Sequence, residues 1–287
     1  NKEWDKRLGG PLSDEAYGNI EQTKDGGYVL SGDTRSGAGW DKTEENWDTT
    51  LYYRDYWIVK TDSAGTKQWD KRYGGIASEF LVMVKQTSDG GYILGGDSYS
   101  DAGGDKTEVK WGLPGSGADY WIIKTDSAGN KQWDKRYGTI MDDGFSAFLE
   151  SSYGSYVLAG NVSDTSFSGD KTMPKQGIWV LKISAIGNII WQKCFVMGTV
   201  AKSIANTSEG GFLISGDALR SDELVYPPTE RTEDCLGPGN TVVFKLDSNG
   251  NKQWDKTIYT YGGDIWGLAL ETADGCYAVA NGSNSGI

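Results

Sequence analysis

Five tryptophans, Trp4, Trp69, Trp133, Trp191 and Trp254, stand in one frame: KEWDKR, KQWDKR, KQWDKR, IIWQKC and KQWDKT, at intervals of 65, 64, 58 and 63 residues. A repeat of about 60 residues restricts the chain to architectures made by adding like units. Four short segments recur in each period. The first runs into a turn, as in IEQTKDGG (20–27), VKQTSDGG (84–91), IANTSEGG (204–211) and LETADG (270–275). The second is apolar and closes on Asp or Asn: YVLSGD, YILGGD, YVLAGN, FLISGD. After a long loop comes DYWIVKTD, DYWIIKTD, GIWVLKIS or NTVVFKLD, and a tight SAG or SNG turn then delivers the Trp segment. Runs of five to seven residues rich in Tyr, Val, Ile and Trp, punctuated by such turns, read as strands a, b, c and d joined by hairpins.

Composition agrees with an all-β chain. Of 287 residues, 37% are hydrophobic and 12% aromatic, with 41 glycines for the turns. No apolar run approaches the roughly 18 residues of a membrane span, so membrane insertion is not expected. A formal charge of -12 repels a phosphate backbone and argues against nucleic acid as a partner. Three cysteines, Cys194, Cys235 and Cys276, lack CxxC spacing, which gives neither a zinc site nor a disulfide framework, although one pair remains open. Histidine is absent, which removes Ser-His-Asp and Cys-His catalysis and any His-bound metal.

Four-stranded antiparallel units in series make the blades of a β-propeller, each packed face to face on its neighbours. An open solenoid is the alternative, but hairpin units of this kind close into rings more often. Segments such as YWIIK suit inner strands covered on both faces. KQWDKRYG instead alternates Trp with charge, as fits an outer edge. The expected fold is one propeller domain over 1–287, with repeats at about 10–75, 76–138, 139–198 and 199–263, a partial one at 264–287 and an N-terminal strand at 1–9. One d strand, four full sets and a final a and b make 19 strands, one short of five blades. The missing strand is c of the last blade. Either that blade is incomplete, or the chain is part of a longer array.

The segments DGGYILGGDSYS, GGDKTE and DYWIIKTDSAGNKQWDKRYGG resemble the tandem repeats of large secreted or surface proteins of Bacteroidetes, cargo of type IX secretion. The resemblance covers essentially the whole chain; SSYGSYVLAGN and the loop RSDELVYPPTERTEDCLGPGN depart from it. It implies an extracellular or cell-surface location and a role in binding, with no general catalytic assignment. The TDSAGxKxW turn also resembles the tryptophan-docking turn of quinoprotein propellers and the Asp-box of sialidase-like blades. Here a structural role suffices: Asp62 and Asp126 cap the turn, and Gly65 and Gly129 supply positive φ. Ser63 and Ser127, in Asp-Ser-Ala, resemble acceptors for O-glycans in secreted Bacteroidetes proteins.

Candidate site residues fall in the long b–c loops, DTRSGAGWDKTEENWDTTLYYRD, DSYSDAGGDKTEVKWGLPGSGAD and the Pro-rich loop of repeat four. Long loops on a repetitive scaffold are where specificity resides. Trp40, Trp47 and Trp111 fit no strand pattern, and Tyr99 lies beside them in sequence. Such rings suit the apolar face of a pyranose, or else they pin the loops down. Asp33, Asp97 and Asp217 end strand b and complete the candidate ligand set, while Asp14, Glu15, Glu79, Asp142 and Asp143 lie in d–a loops. A DxxSxxxxD spacing offers Asp33 with Asp41, and Asp97 with Asp105, as ligands for Ca²⁺, against the plainer reading of solvated loop acids. Three functions stay open. They are a surface module binding a glycan or protein without catalysis, a carbohydrate-active hydrolase using central carboxylates, and a spacer in a larger adhesin.

Overall fold

The computed structural model describes residues 3–16, 18–113, 117–151, 154–198, 200–218, 230–233, 240–258 and 264–283, the last without the side chains of 264–266 and 281–283. Cys235 and most of the Pro-rich loop lie outside the described residues. Every described element is a strand, and no helix is long and apolar enough to cross a membrane. The chain is all-β, with repeated four-stranded antiparallel sheets of the propeller class.

Two compact units divide the chain, Asn1–Met141 and Asp142–Ile287. In the first unit, blade one holds β1 (Asp14–Glu15), β2 (Ile20–Gln22), β3 (Tyr28–Thr34), β4 (Asp55–Thr61) and β5 (Lys67–Tyr73). Blade two holds β6 (Glu79–Gln86), β7 (Tyr92–Ser98), β8 (Asp119–Thr125) and β9 (Lys131–Tyr137). The second unit holds β10 (Asp143–Glu150), β11 (Tyr156–Val162), β12 (Gly177–Ile183) and β13 (Ile189–Phe195) as blade three. Blade four follows with β14 (Ala201–Asn206), β15 (Phe212–Ala218), β16 (Asn240–Leu246) and β17 (Lys252–Ile258), and then β18 (Asp264–Glu271) pairs β19 (Tyr277–Ser283), its one partner among the described residues.

Nineteen strands are found among the described residues, but they are not the nineteen expected. The N-terminal segment is not a strand, while strand a of blade one is broken into β1 and β2, both paired with β3. Other a strands carry one bulge, as at Leu81/Met83 and Phe145/Ala147. In blade one the bulge widens around Gly18, whose Cα lies too close to Ser31 for any side chain. Asn19, in the gap, receives the Val84 N–H at 2.7 Å and returns a bond to the Val84 carbonyl at 3.0 Å. The interruption therefore ties blade one to blade two.

Apolar burial joins consecutive blades. Every residue of β4 and of β8 is buried, as their unbroken apolar runs require. Val29, Tyr56 and Ile58 of blade one meet Leu94, Trp121 and Ile123 of blade two in one cluster. In the second unit Val157 and Val180 meet Phe212 and Phe244, and Leu213 and Val243 meet Ala269. Burial of each large apolar side chain contributes about 1.5–3 kcal/mol, so these interfaces dominate the favourable side of folding.

The repeated Trp completes each interface from outside. Trp69 sets its edge against Tyr92 with centroids 5.5 Å apart, and a Cβ on Gly129 would come within 3.0 Å of its ring. Trp4 relates in the same way to Tyr28 and Gly65, and Trp191 to Phe212 and Gly250. The N-terminal segment thus occupies the place of a d strand without its ladder. Each turn glycine has φ between 75° and 78°, and the preceding acid caps it: Asp126 Oδ1 accepts from Ala128 N at 2.9 Å and Asn130 N at 2.8 Å. Here glycine meets two needs at once, a left-handed backbone and space for an indole.

Trp69→Ala is expected to cost about 3–5 kcal/mol, the range for truncating a large aromatic. Gly129→Ala should cost roughly 1–2 kcal/mol from its backbone alone, and more from the clash with the indole. Because both changes break one contact, the double variant in denaturant titration should lose less than the sum. Losses that simply add would show that ring and turn do not support each other.

Candidate functional site

The b–c loops of the first unit, 35–54 and 99–118, stand on a shared foot spelled DKTE. Gly39 bridges Lys42, and Gly103 bridges Lys106, closing a tight turn in each loop. The next residue docks on the outer strand: Thr43 N donates to Asp70 Oδ2 at 2.9 Å, and Thr107 N to Asp134 Oδ2 at 2.9 Å. Glu44 then accepts the Arg72 N–H at 2.9 Å, as Glu108 accepts that of Arg136 at 3.0 Å. Repeat four preserves the arrangement with different spelling, since Thr232 N donates to Asp255 at 2.7 Å and Lys256 pairs Glu233 at 2.6 Å. The foot was not among the candidate features drawn from the loops in the sequence. The signal was the DKTE shared at 41–44 and 105–108.

Burial sets the electrostatics beneath the loops. Lys42 and Lys106 are drawn down to about 8 by burial. Asp55 is lifted by burial to about 6, although it accepts Trp47 N at 2.9 Å, and burial lifts Glu79 to about 7. Glu79 accepts from Gly75 N at 2.9 Å and Ser98 Oγ at 3.0 Å, so its oxygens face the protein. Asp14 receives Thr34 Oγ1 at 2.5 Å and Gly10 N at 2.6 Å, and Glu15 pairs Arg54. Asp14, Glu15 and Glu79 thus each bond to a residue of an adjoining loop.

The aromatic candidates differ sharply in attachment. Trp47 is 44% exposed, yet its Nε1 donates to Asp105 at 2.8 Å and Arg72 lies 5.0 Å over its ring. Trp111 is 37% exposed under Arg136 at 4.5 Å, and its backbone N donates to Asp119 at 2.7 Å. Tyr99 is 40% exposed with its edge toward Phe80. Trp40 is 73% exposed, and the contact seen on its ring is Arg7, 5.6 Å from the centroid. Its backbone has φ of 53°, at the position where the second repeat places Gly104 with φ of 62°. An exposed Trp in a left-handed conformation costs about 1–2 kcal/mol relative to glycine, with no packing to offset it. Tyr52 and Tyr53, edge to face at 5.1 Å, are further exposed rings that the sequence pattern did not single out.

The acidic candidates are distributed rather than gathered. Asp33 is buried against Arg54 at 2.5 Å, and Asp217, in the second unit, pairs Lys202 at 2.8 Å. Asp97 is half-buried, and its carbonyl accepts the Tyr56 hydroxyl at 3.4 Å. Asp41 accepts Gly9 N at 3.1 Å, and Asp105 accepts Trp47 Nε1, Arg72 at 2.6 Å and Gly74 N at 3.1 Å. Among the described residues no group of three His, Cys, Asp or Glu is placed to hold a metal ion. The second Asp of each DxxSxxxxD spacing holds the chain arriving from the preceding d position, through Gly9 N or Gly74 N. A cavity of about 110 Å³ on blade one, lined by Leu8, Leu30, Trp57 and Val59 among others, includes none of the loop aromatics.

Neither a protein-family model nor a curated protein matches the chain. Among solved structures, it is similar to a protein of unknown function from Bacteroides caccae, at 13% identity and a TM-score of 0.44 over 89% of this chain and 85% of that one.

Two outcomes follow from this geometry. Trp40→Gly should leave the melting temperature unchanged or raise it, whereas Trp47→Ala and Trp111→Ala should each lower it. Equal losses for all three would make Trp40 a loop anchor. The second concerns pH. A buried acid whose folded pKa is raised takes up its proton more readily folded than unfolded, so its penalty is complete above the folded value and vanishes below the unfolded one. Melting should rise as pH falls from 7.5 to 5, and Glu79→Gln should flatten that rise. A melting temperature that falls over this interval in the wild type would contradict it.

Proposed function

We propose that this chain is a non-catalytic binding module of an extracellular or cell-surface protein, taking a glycan, or secondarily a protein surface, on the b–c loops of its first unit. One observation carries the reading: Trp40, 73% exposed, occupies a left-handed backbone position that the sister repeat gives to glycine. Strain of this kind persists where a side chain is needed for something other than folding. An indole with an open face and a guanidinium nearby suits stacking on a pyranose, with the cation reaching a hydroxyl or a carboxylate of the sugar. Tyr99 and Tyr52 add exposed aromatic area in the same set of loops. Trp47 and Trp111 serve that surface by bracing it, since each lies under an arginine of strand d.

A glycan array probed with the full chain, run beside a hydrolysis screen on the same sugars, tests this reading. Binding without turnover is expected, with loss of at least tenfold in affinity for Trp40→Gly at unchanged stability. Turnover would transfer the function to the carboxylates. Binding unaffected by Trp40→Gly would remove the loop aromatic as its source.

A further inference from the structure

The c–d turns share one geometry but not one chemistry. In each, the glycine N–H donates to the carbonyl of the residue three before it: Gly65 to Asp62 at 3.1 Å, Gly129 to Asp126 at 3.1 Å, Gly187 to Ser184 at 3.0 Å and Gly250 to Asp247 at 3.0 Å. The residue before that glycine is Ala64, Ala128 or Ile186 in the first three blades and Asn249 in the fourth. Asn249 is exposed, and its backbone N donates to Asp247 Oδ1 at 2.9 Å. Its carboxamide makes no hydrogen bond among the described residues, whereas the Nδ2 of Asn251 is held by Asp247 Oδ2 at 3.0 Å. A free carboxamide before glycine is a reactive pairing, because glycine has no side chain to shield its own amide nitrogen from the preceding Cγ.

The Asp-Gly pairs of the a–b turns are guarded where Asn249 is not. Asp25, Asp89 and Asp274 each accept the hydroxyl of the threonine two residues earlier, and the first two also take Lys60 and Lys124 at 2.9 Å. The Thr23 hydroxyl and Lys60 hold Asp25 down at about 2. Against partial burial, Thr87 and Lys124 hold Asp89 at about 2, and the Thr272 hydroxyl lowers Asp274. A carboxylate kept ionised and hydrogen-bonded resists attack by an amide nitrogen. Asn249 has neither protection, and among residues with described side chains 249–250 is the one Asn-Gly pair.

We propose that Asn249 is a site of spontaneous covalent modification, with water as co-reactant, whose product loosens the contact between blades three and four. The Gly250 N–H leaves the Asp247 carbonyl when the exposed turn opens locally, and its nitrogen attacks Asn249 Cγ. The N–Cγ bond forms, the Cγ–Nδ2 bond breaks, and ammonia departs with the amide proton. Water then opens the succinimide at either carbonyl, giving aspartate or an isoaspartyl link in which the chain runs through Cβ and Cγ; nothing is oxidised or reduced. The isoaspartyl link inserts an extra main-chain carbon between two contacts of Trp191. Its Nε1 donates to the Ser248 carbonyl at 3.3 Å, and a Cβ on Gly250 would come within 2.8 Å of its ring. The lengthened turn gives up one of these, and with it the support for Trp191 against Phe212, whose centroids lie 6.1 Å apart. This is independent of any ligand on the loops.

The test is peptide mapping and thermal melting of the full 287-residue chain aged in mildly alkaline buffer. Aspartate and isoaspartate are expected at 249, formed at least tenfold faster than at Asn251 and than isoaspartate at Asp25, Asp89 or Asp274. The melting temperature of the aged wild type should fall as isoaspartate at 249 accumulates. Asn249→Ala, which restores the residue of the sister turns, should escape that fall, and fresh Asn249→Asp, charged but with an ordinary backbone, should melt as fresh wild type does. Conversion at 249 no faster than at Asn251 overturns the reactivity. An aged wild type that melts like aged Asn249→Ala, despite isoaspartate at 249, overturns the consequence for the blade contact.

Discussion

The carboxylate on the outer strand organises each blade. Asp70 accepts the Trp57 indole N–H at 3.0 Å, Lys67 at 2.8 Å, and both the backbone and hydroxyl of Thr43 at 2.9 and 3.0 Å. One buried group thus fixes strand c to strand d, and both to the loop that leaves strand b. Asp134 receives the same set from Trp121, Lys131 and Thr107. A carboxylate buried this deeply is tolerable only because every bond it accepts comes from a neighbour that itself needs an acceptor. In blade three Gln192 stands there, still accepting from Trp179 at 3.1 Å and Thr172 N at 3.3 Å. The position demands an acceptor rather than a charge.

From that anchor the loops are fixed at their base by bonds to strand d. The DKTE foot places Trp40 on the turn before the docked Thr43, so the most exposed indole projects from a short, closed turn rather than from a slack loop. Preorganisation of this kind lowers the entropy lost on binding. The tip beyond it is ordered by Asp48, which accepts from Thr50 N, Tyr52 N and Tyr53 N at 2.7 to 2.9 Å. Backbone and carboxylate bonds thus hold this loop while the Trp40 and Tyr52 rings stay exposed.

Hydrophobic burial acts between the blades of a unit, joined there by polar bonds such as Asn19 with Val84 and Trp47 with Asp105. In the inner strand β8 every position is covered, the apolar run from Tyr120 to Ile123 and the polar Asp119, Lys124 and Thr125 alike. In the β18–β19 hairpin, which pairs with no other strand among the described residues, Leu268 and Leu270 are exposed. The sequence of the final hairpin is correspondingly smaller in its apolar content, with alanine at 278 and 280, yet it retains the acid of the turn.

Much was legible in the residues themselves. The Trp period, the DGG and SAG turns and the unbroken apolar runs specify the four-stranded sheets and the order of their strands, because strand pairing through short hairpins depends on local turn chemistry and on side chains only one or two residues apart; the N-terminal segment, which carries the Trp motif without a strand, and the division of strand a into β1 and β2 were not legible in this way. Whether a loop residue is free or spent was decided by tertiary structure. Asp41 and Asp105 have the same spacing and the same appearance as metal ligands, and only their approach to Gly9 and Gly74 commits them to loop closure. Lys60 and Lys124 look like surface charges within KTD, but folding buries them against distant acids. Trp40 aligns with Gly104 in the sequence, which hints at an unusual site, but its positive φ and open ring exist only in the folded loop. Local patterns determine the blade, since they act along the chain; the fate of each polar and aromatic loop residue depends on contacts across 20 to 60 positions, which no short segment encodes.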